Sequence, residues 1–212
     1  MDKVVIMPLK VEDLEDKSRF REIMVLRYSD VVDFVLENIR KKSDLMMFFW
    51  SVCVIFLGIA VFVRVDIAGT YPGRSIFFHT LLGFIIFPVL CIPLHEGMHI
   101  IPYLLAGARN IRTGMDLRQY IFYVTVHRHV TGPLQFITIA SMPFISISTA
   151  AIFLALTLPG LWKWSLSAFL FVHATMCAGD VALLNFYRLS GWKKIYTWDD
   201  ADRKVSYFYE KL

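Results

Sequence analysis

The chain has 212 residues, of which 57% are apolar and 19% charged, with a formal net charge of +4. Its apolar residues are gathered into long runs almost free of charge, which excludes an intrinsically disordered chain, a coiled coil and a secreted disulfide scaffold. The three cysteines, Cys53, Cys91 and Cys177, are widely spaced inside those runs, so they spell neither a disulfide framework nor a paired-thiolate zinc site.

The first 44 residues are polar and charged. Within them Ile23, Leu26, Val31, Phe34 and Val35 recur among Arg, Asp and Glu, a spacing that predicts an amphipathic helix over Phe20–Ile39, lying on the membrane surface or packed on a connecting loop. The 19-residue run Leu45–Val63 then lies too far from the start and is too long for a cleaved signal peptide, and reads as a retained first span. Ser75–Ala108 follows with Glu96 as its one acidic residue and no Lys or Arg; Pro88, Pro93 and Pro102 are expected to bend or break it. Arg109–Pro133 is a polar connection. Its alternating stretch Tyr120–His129 (Tyr120, Phe122, Val124, Val126) predicts a short strand or hairpin, which Thr131, Gly132 and Pro133 stop before the next helix. Two further runs, Leu134–Trp162 and Ser165–Tyr187, complete four spans, the last holding only Asp180 as a charge. Ser190–Leu212 mixes Trp192, Tyr196, Trp198, Tyr207, Phe208 and Tyr209 with charges, as an interfacial tail would. The fold class expected is therefore an all-α membrane protein with four transmembrane helices, an N-terminal amphipathic helix and a short cytoplasmic β-hairpin-like connection. Its expected parts are residues 1–44, the membrane domain 45–188 and the tail 189–212.

The basic residues set the orientation. Nine Lys and Arg precede the first run, four lie between Arg109 and Arg128, six lie from Arg188 onward, and the other two connections hold only Arg64, Arg74 and Lys163. The positive-inside rule then places both termini and the 109–133 connection in the cytoplasm. The net positive charge is a topology signal that also attracts anionic lipid; no nucleic-acid-binding motif accompanies it.

Chemistry enters with His95-Glu96-Gly97-Met98-His99, an H-E-x-x-H pattern. Histidines four apart share one helix face and can face one ion, while Glu96, one step round, can reach a water there. An ionisable residue inside a span costs about 2.5–3.5 kcal/mol on the insertion scale, and so is usually functional. A catalytic zinc takes three protein ligands, often two histidines and a carboxylate. Apart from Glu96, the spans contain a single carboxylate, Asp180, which makes it the candidate third ligand. The competing reading of these residues is a structural His–Asp pair or a proton path. His173, seven residues before Asp180, is expected on the same face but roughly 10 Å away along a straight helix, as a buried polar or cavity residue. His173, Thr175 and Asn185 are the polar candidates on that span for holding an oxyanion. Cys91 and Cys177 lie one turn before His95 and Asp180 and read as small packing residues. His79 reads as unrelated to the site, and His127 and His129 as surface residues of the connection.

Taken together, Pro93–His99, Tyr123–Val130, Thr131–Pro133, Ser141–Pro143 and Ala178–Asp180 resemble a family of bacterial membrane proteins known as putative zincin peptidases, over roughly residues 75–190. They are similar, more distantly, to site-2 intramembrane metalloproteases, whose aspartate ligand also sits on a later span. The resemblance implies zinc at His95, His99 and Asp180, Glu96 as catalytic base, and a multi-pass protein of the bacterial inner membrane. The function expected is a membrane-embedded zinc metallopeptidase acting on a membrane-associated protein or peptide. A non-peptidase zinc hydrolase and a catalytically silent metal-binding membrane protein are the alternatives. The sequence does not set the oligomeric state.

Overall fold

A computed structural model describes residues 9–116 and 121–212. A short helix α1 (Val11–Leu14) leads into strand β1 (Phe20–Arg27), a 3₁₀ turn at Tyr28–Asp30 and helix α2 (Val31–Arg40). The long helix α3 (Asp44–Asp66) follows, capped by Ser43, whose hydroxyl accepts from the Met46 N–H. Next come α4 (Gly73–Leu81), a π turn at Leu82–Ile86 and α5 (Phe87–Leu105). A hairpin of β2 (Ile111–Asp116) and β3 (Ile121–Val126) separates these from α6 (Pro133–Thr157). The chain closes with α7 (Gly160–Met176), α8 (Ala178–Leu189), β4 (Ile195–Asp200) and β5 (Val205–Lys211).

Three helical stretches, Asp44–Asp66, Gly73–Leu105 and Pro133–Thr157, are long and apolar enough to cross a membrane, and α7 with α8 would make a fourth if taken as one bent span. The outward face of α3 is apolar, with Met47, Val54, Phe62 and Val65 all exposed and Phe62 at 73%. In water such a face would be costly; against lipid it is not. Helix α7 is central. It packs against α3, α4 and α6 and buries every residue from Trp164 to Leu170. Its approach to the π turn requires Gly83, where a Cβ would collide with the Ser165 carbonyl.

The structure corrects the all-α expectation. Residues 20–39 do not form one amphipathic helix: Phe20–Arg27 is a strand, and only Val31–Arg40 is helical. The reason is long-range. β1 pairs antiparallel with β5, from Phe20 opposite Lys211 to Arg27 opposite Val205, and β5 pairs with β4, giving a sheet of order β1-β5-β4. Apolar spacing along 20–39 is compatible with either period until that distant partner is known. The expected tail is likewise two strands. Its strand aromatics are spent on packing, with Trp198 stacked on Tyr207 at 4.5 Å between ring centres, and Phe208 joining Leu26, Phe34, Phe136, Tyr187 and Ile195 in a core under the sheet, while Trp192 stays exposed.

The expected strand in the connection is present as β3, paired with β2 from Ile111–Val126 to Asp116–Ile121; Tyr120 lies outside the described residues. The strand ends before His127, because Arg128 takes a positive φ of 54°. The second run is not broken at its prolines. The irregularity is the π turn ahead of Pro88, and α5 continues through Pro93 and Pro102. The fourth run, expected to be continuous, bends by 45° between Met176 and Ala178.

Candidate metal centre

His95 and His99 lie one turn apart on α5, with ring centres 5.2 Å apart, and both are buried. Both rings turn toward α8. His95 Nε2 is 3.1 Å from Asp180 Oδ2, and His99 Nε2 is 3.5 Å from Asp180 Oδ1. Two ligand atoms held about 2.0–2.1 Å from one tetrahedral ion stand roughly 3.3 Å apart, so both separations suit a shared cation. Asp180 belongs to the first turn of α8, where unpaired backbone N–H groups favour a carboxylate.

The orientation of His99 has a local cause. Its Nδ1–H donates to the Ile139 carbonyl at 2.9 Å, which directs the Nε2 lone pair at Asp180. Ile139 is free to accept because the residue four positions on in α6 is Pro143, which has no N–H to offer it. The proline inside an apolar run is therefore tied to the side of His99 that faces Asp180. That signal was present in the sequence, in the i to i+4 spacing of Ile139 and Pro143, and sequence reasoning missed it.

Glu96, His95 and Asp180 line a cleft of about 380 Å³. Its other walls are apolar: Val31, Val35 and Leu36 from α2, Ile92 from α5, Phe122 from β3 and Met176 at the end of α7. Helix α2 is thus a wall of the cleft, a role its sequence does not announce. It is fixed there by packing on α8, where Phe34 meets Phe186 edge-on and the Asn185 amide donates to the Asn38 and Lys41 carbonyls.

The remaining polar residues sort by geometry. Asn185 also meets the Ser43 hydroxyl and is committed to joining α2, α3 and α8, and the Thr175 hydroxyl donates to the Val172 carbonyl, so neither faces the cleft. His173, expected a helical stretch away, comes near because the chain bends: its ring centre is 5.9 Å from that of His95. Cys177, at the bend, places Sγ 3.9 Å from His95 Nδ1. Cys91 is buried among Ile147, Phe169 and Leu170 as packing. His79 lies away from this group, its Nδ1 2.8 Å from the Ser165 hydroxyl. His127 sits beside Asp200 and Asp202, and its Nδ1 accepts from the Ala201 N–H. His129 stands edge-on to Tyr103, and burial holds its imidazole below its ordinary pKa.

No curated protein and no solved structure matches the chain. One family profile does, over residues 88–194, just over half of the 212 residues and a stretch that holds His95, Glu96, His99, Pro143 and Asp180 together. By that match the chain belongs to the family described as putative zincin peptidase.

Proposed function

We propose that this protein is a membrane-embedded zinc metallopeptidase that hydrolyses peptide bonds of membrane-associated polypeptides. The observation that carries the reading is the meeting of His95 Nε2 and His99 Nε2 with the two oxygens of Asp180, beside Glu96 in an apolar cleft. His95, His99 and Asp180 would hold the ion, and the donor set, two imidazoles and a carboxylate, is one that zinc favours. When bound, zinc supplies Lewis acidity that acidifies a water and polarises a carbonyl.

The other steps belong to the chain. Glu96 takes the proton from the attacking water and returns it to the leaving amine nitrogen. The apolar walls from α2, Phe122 and Met176 exclude bulk water and hold the substrate's apolar side chains. A helical substrate hides its carbonyls, so the scissile segment enters extended. The hairpin offers it an edge: the His127 N–H bonds to the Asn110 carbonyl, so in the alternation of this antiparallel pair the N–H groups of Phe122 and Val124 point away from β2. An extended segment added there would run past Phe122 into the cleft.

The membrane setting is supported by the helix lengths and the apolar outer face of α3, and the distribution of Lys and Arg favours a cytoplasmic side for both termini and the hairpin. The parts 1–44, 45–188 and 189–212 are then a cytoplasmic lead-in, a membrane domain and a cytoplasmic tail, joined across the membrane face by the β1-β5-β4 sheet.

The deciding experiment measures zinc in the purified full chain and its His95→Ala, Asp180→Ala and Glu96→Gln variants, with cleavage of a membrane-protein substrate pool as a second readout. Stoichiometric zinc is expected in the wild type and in Glu96→Gln, and its loss in the other two. Glu96→Gln should lower cleavage by about 10²–10⁴-fold. Wild-type protein without zinc, or Glu96→Gln with full cleavage, refutes the proposal.

A further inference from the structure

On the far side of the His95 ring from Asp180 lies a second group of metal-binding atoms: His95 Nδ1, a nitrogen of His173 and Cys177 Sγ, all within 4.8 Å of one another. Cys177 Sγ is 3.9 Å from His95 Nδ1 and 3.7 Å from His173 Nε2. Around one tetrahedral ion, with metal–sulfur and metal–nitrogen bonds of about 2.3 and 2.0–2.1 Å, sulfur and nitrogen stand roughly 3.5–3.6 Å apart. The side chains therefore stand within a few tenths of an ångström of the spacing of a coordinated set.

The polar groups are poorly served without a cation. His173 and Cys177 are both 0% exposed. A thiol is a weak donor and acceptor, and the partner at His173 Nδ1, the Ser148 hydroxyl on α6, is 3.4 Å away. A buried imidazole with only long contacts is destabilising, and the hydrolytic scheme uses neither residue. The Ser148 contact at Nδ1 leaves Nε2 turned to Cys177, the arrangement of an outer partner orienting a ligating histidine. The bend at Cys177 is what lets two residues of the fourth helical run reach His95 while Asp180 of the same run reaches its other nitrogen.

We propose that His95, His173 and Cys177 form a second cation position, specific for a thiophilic ion such as Zn2+, Cd2+ or Cu+. It extends the hydrolytic reading, since it shares His95 with that centre. Neither His173 nor Cys177 lines the cleft, so the second position is closed, with His95 bridging two ions through its two nitrogens. With both positions filled His95 is an imidazolate, so binding releases the Cys177 thiol proton and the His95 ring N–H proton to solvent and involves no oxidation. Its thiolate selects soft ions, whereas the Asp180 side offers a carboxylate oxygen.

The test is a titration of the reduced, full-length protein in detergent micelles with Co2+ alone, read by the near-ultraviolet sulfur-to-cobalt charge-transfer band. The wild type should develop the band. Cys177→Ser and His173→Ala should each lack it, whereas Asp180→Ala and His99→Ala should retain it while taking up one equivalent less of cobalt. Cd2+ should bleach the band. Two variants on different residues keep the result readable if one of them misfolds, and Cys91→Ala controls for the neighbouring thiol. A wild type without the band, or a band that survives in Cys177→Ser, overturns the proposal. If Asp180→Ala binds as much cobalt as the wild type while the band behaves as expected, the hydrolytic centre fails and the second position stands.

Discussion

The helical bundle gathers buried polar groups that the sheet layer keeps apart. In the sheet, backbone groups are consumed by the ladders from β1 through β5 to β4, and the enclosed polar side chains are scattered: Asp199 accepts from the Ser206 hydroxyl at 2.5 Å and the Tyr28 hydroxyl donates to Thr125 at 3.0 Å, whereas Trp198 Nε1 and, in the core beneath, the Tyr187 hydroxyl are buried without a hydrogen-bond partner among the described residues. In the bundle, His95, His99, His173, Cys177 and Asp180 face one another across α5, α7 and α8 at distances that suit a cation. The lesson is that isolated buried polar groups, paired or not, mark architecture, whereas a buried cluster at coordination spacing marks chemistry. Where the chain leaves a helical carbonyl free, at Ile139, that carbonyl orients a ring of the cluster.

The largest expected effect that sharpens this contrast comes from Pro143→Ala. It restores an N–H that competes with His99 for the Ile139 carbonyl, and should weaken zinc affinity by about 10–100-fold, the usual cost of losing an outer partner of a ligating histidine. Competition with a zinc chelator measures it, and Pro102→Ala, on α5, serves as the control for losing a helix proline. Affinity unchanged in Pro143→Ala would detach that proline from the site. Next is Val124→Pro, which removes an N–H from the open edge of β3 without touching the β2 ladder. Cleavage should fall about 10-fold, the worth of one or two hydrogen bonds, with zinc content unaltered; full cleavage would dismiss strand addition.

Asn185→Ala probes the seam between the two regions. It strips partners from the Ser43 hydroxyl and the Asn38 and Lys41 carbonyls and should cost about 1–3 kcal/mol of stability, seen as a lower unfolding temperature in detergent. The smallest effect belongs to Asp199 in the sheet layer. Burial, ahead of its hydrogen bonds, raises its carboxyl pKa above the ordinary value. The folded state then holds this proton more tightly than the unfolded chain. The resulting stabilisation is complete below the ordinary carboxylate pKa and is lost as pH rises through the raised one. Asp199→Asn should flatten that part of the stability–pH curve, and a curve of unchanged slope would show that Asp199 does not shape it.

Much of the bundle was legible because its signals are local. Apolar runs located α3, α4 with α5, and α6, since a helix satisfies its backbone within itself. The i, i+4 spacing of His95 and His99 put two rings on one face for the same reason. The fourth run was legible as apolar but not as bent, and the bend is what brings His173 beside His95 while Asp180 of the same run meets the ring's other nitrogen. β1 was misread as helix because its partner, β5, is 189 residues away at the Arg21–Glu210 pair, and nothing within 20–39 encodes that distance.

By itself, then, the sequence determined the helical stretches, the hairpin strand β3 and the identity of the residues able to carry metal chemistry, because helical period and alternation are short-range properties of the chain. The tertiary structure alone decided that Asp180 meets both rings, that α2 walls the cleft and that the Ile139 carbonyl freed by Pro143 turns His99. Each of these depends on which surfaces pack together across scores of residues, and packing is settled by the whole buried surface rather than by any one segment.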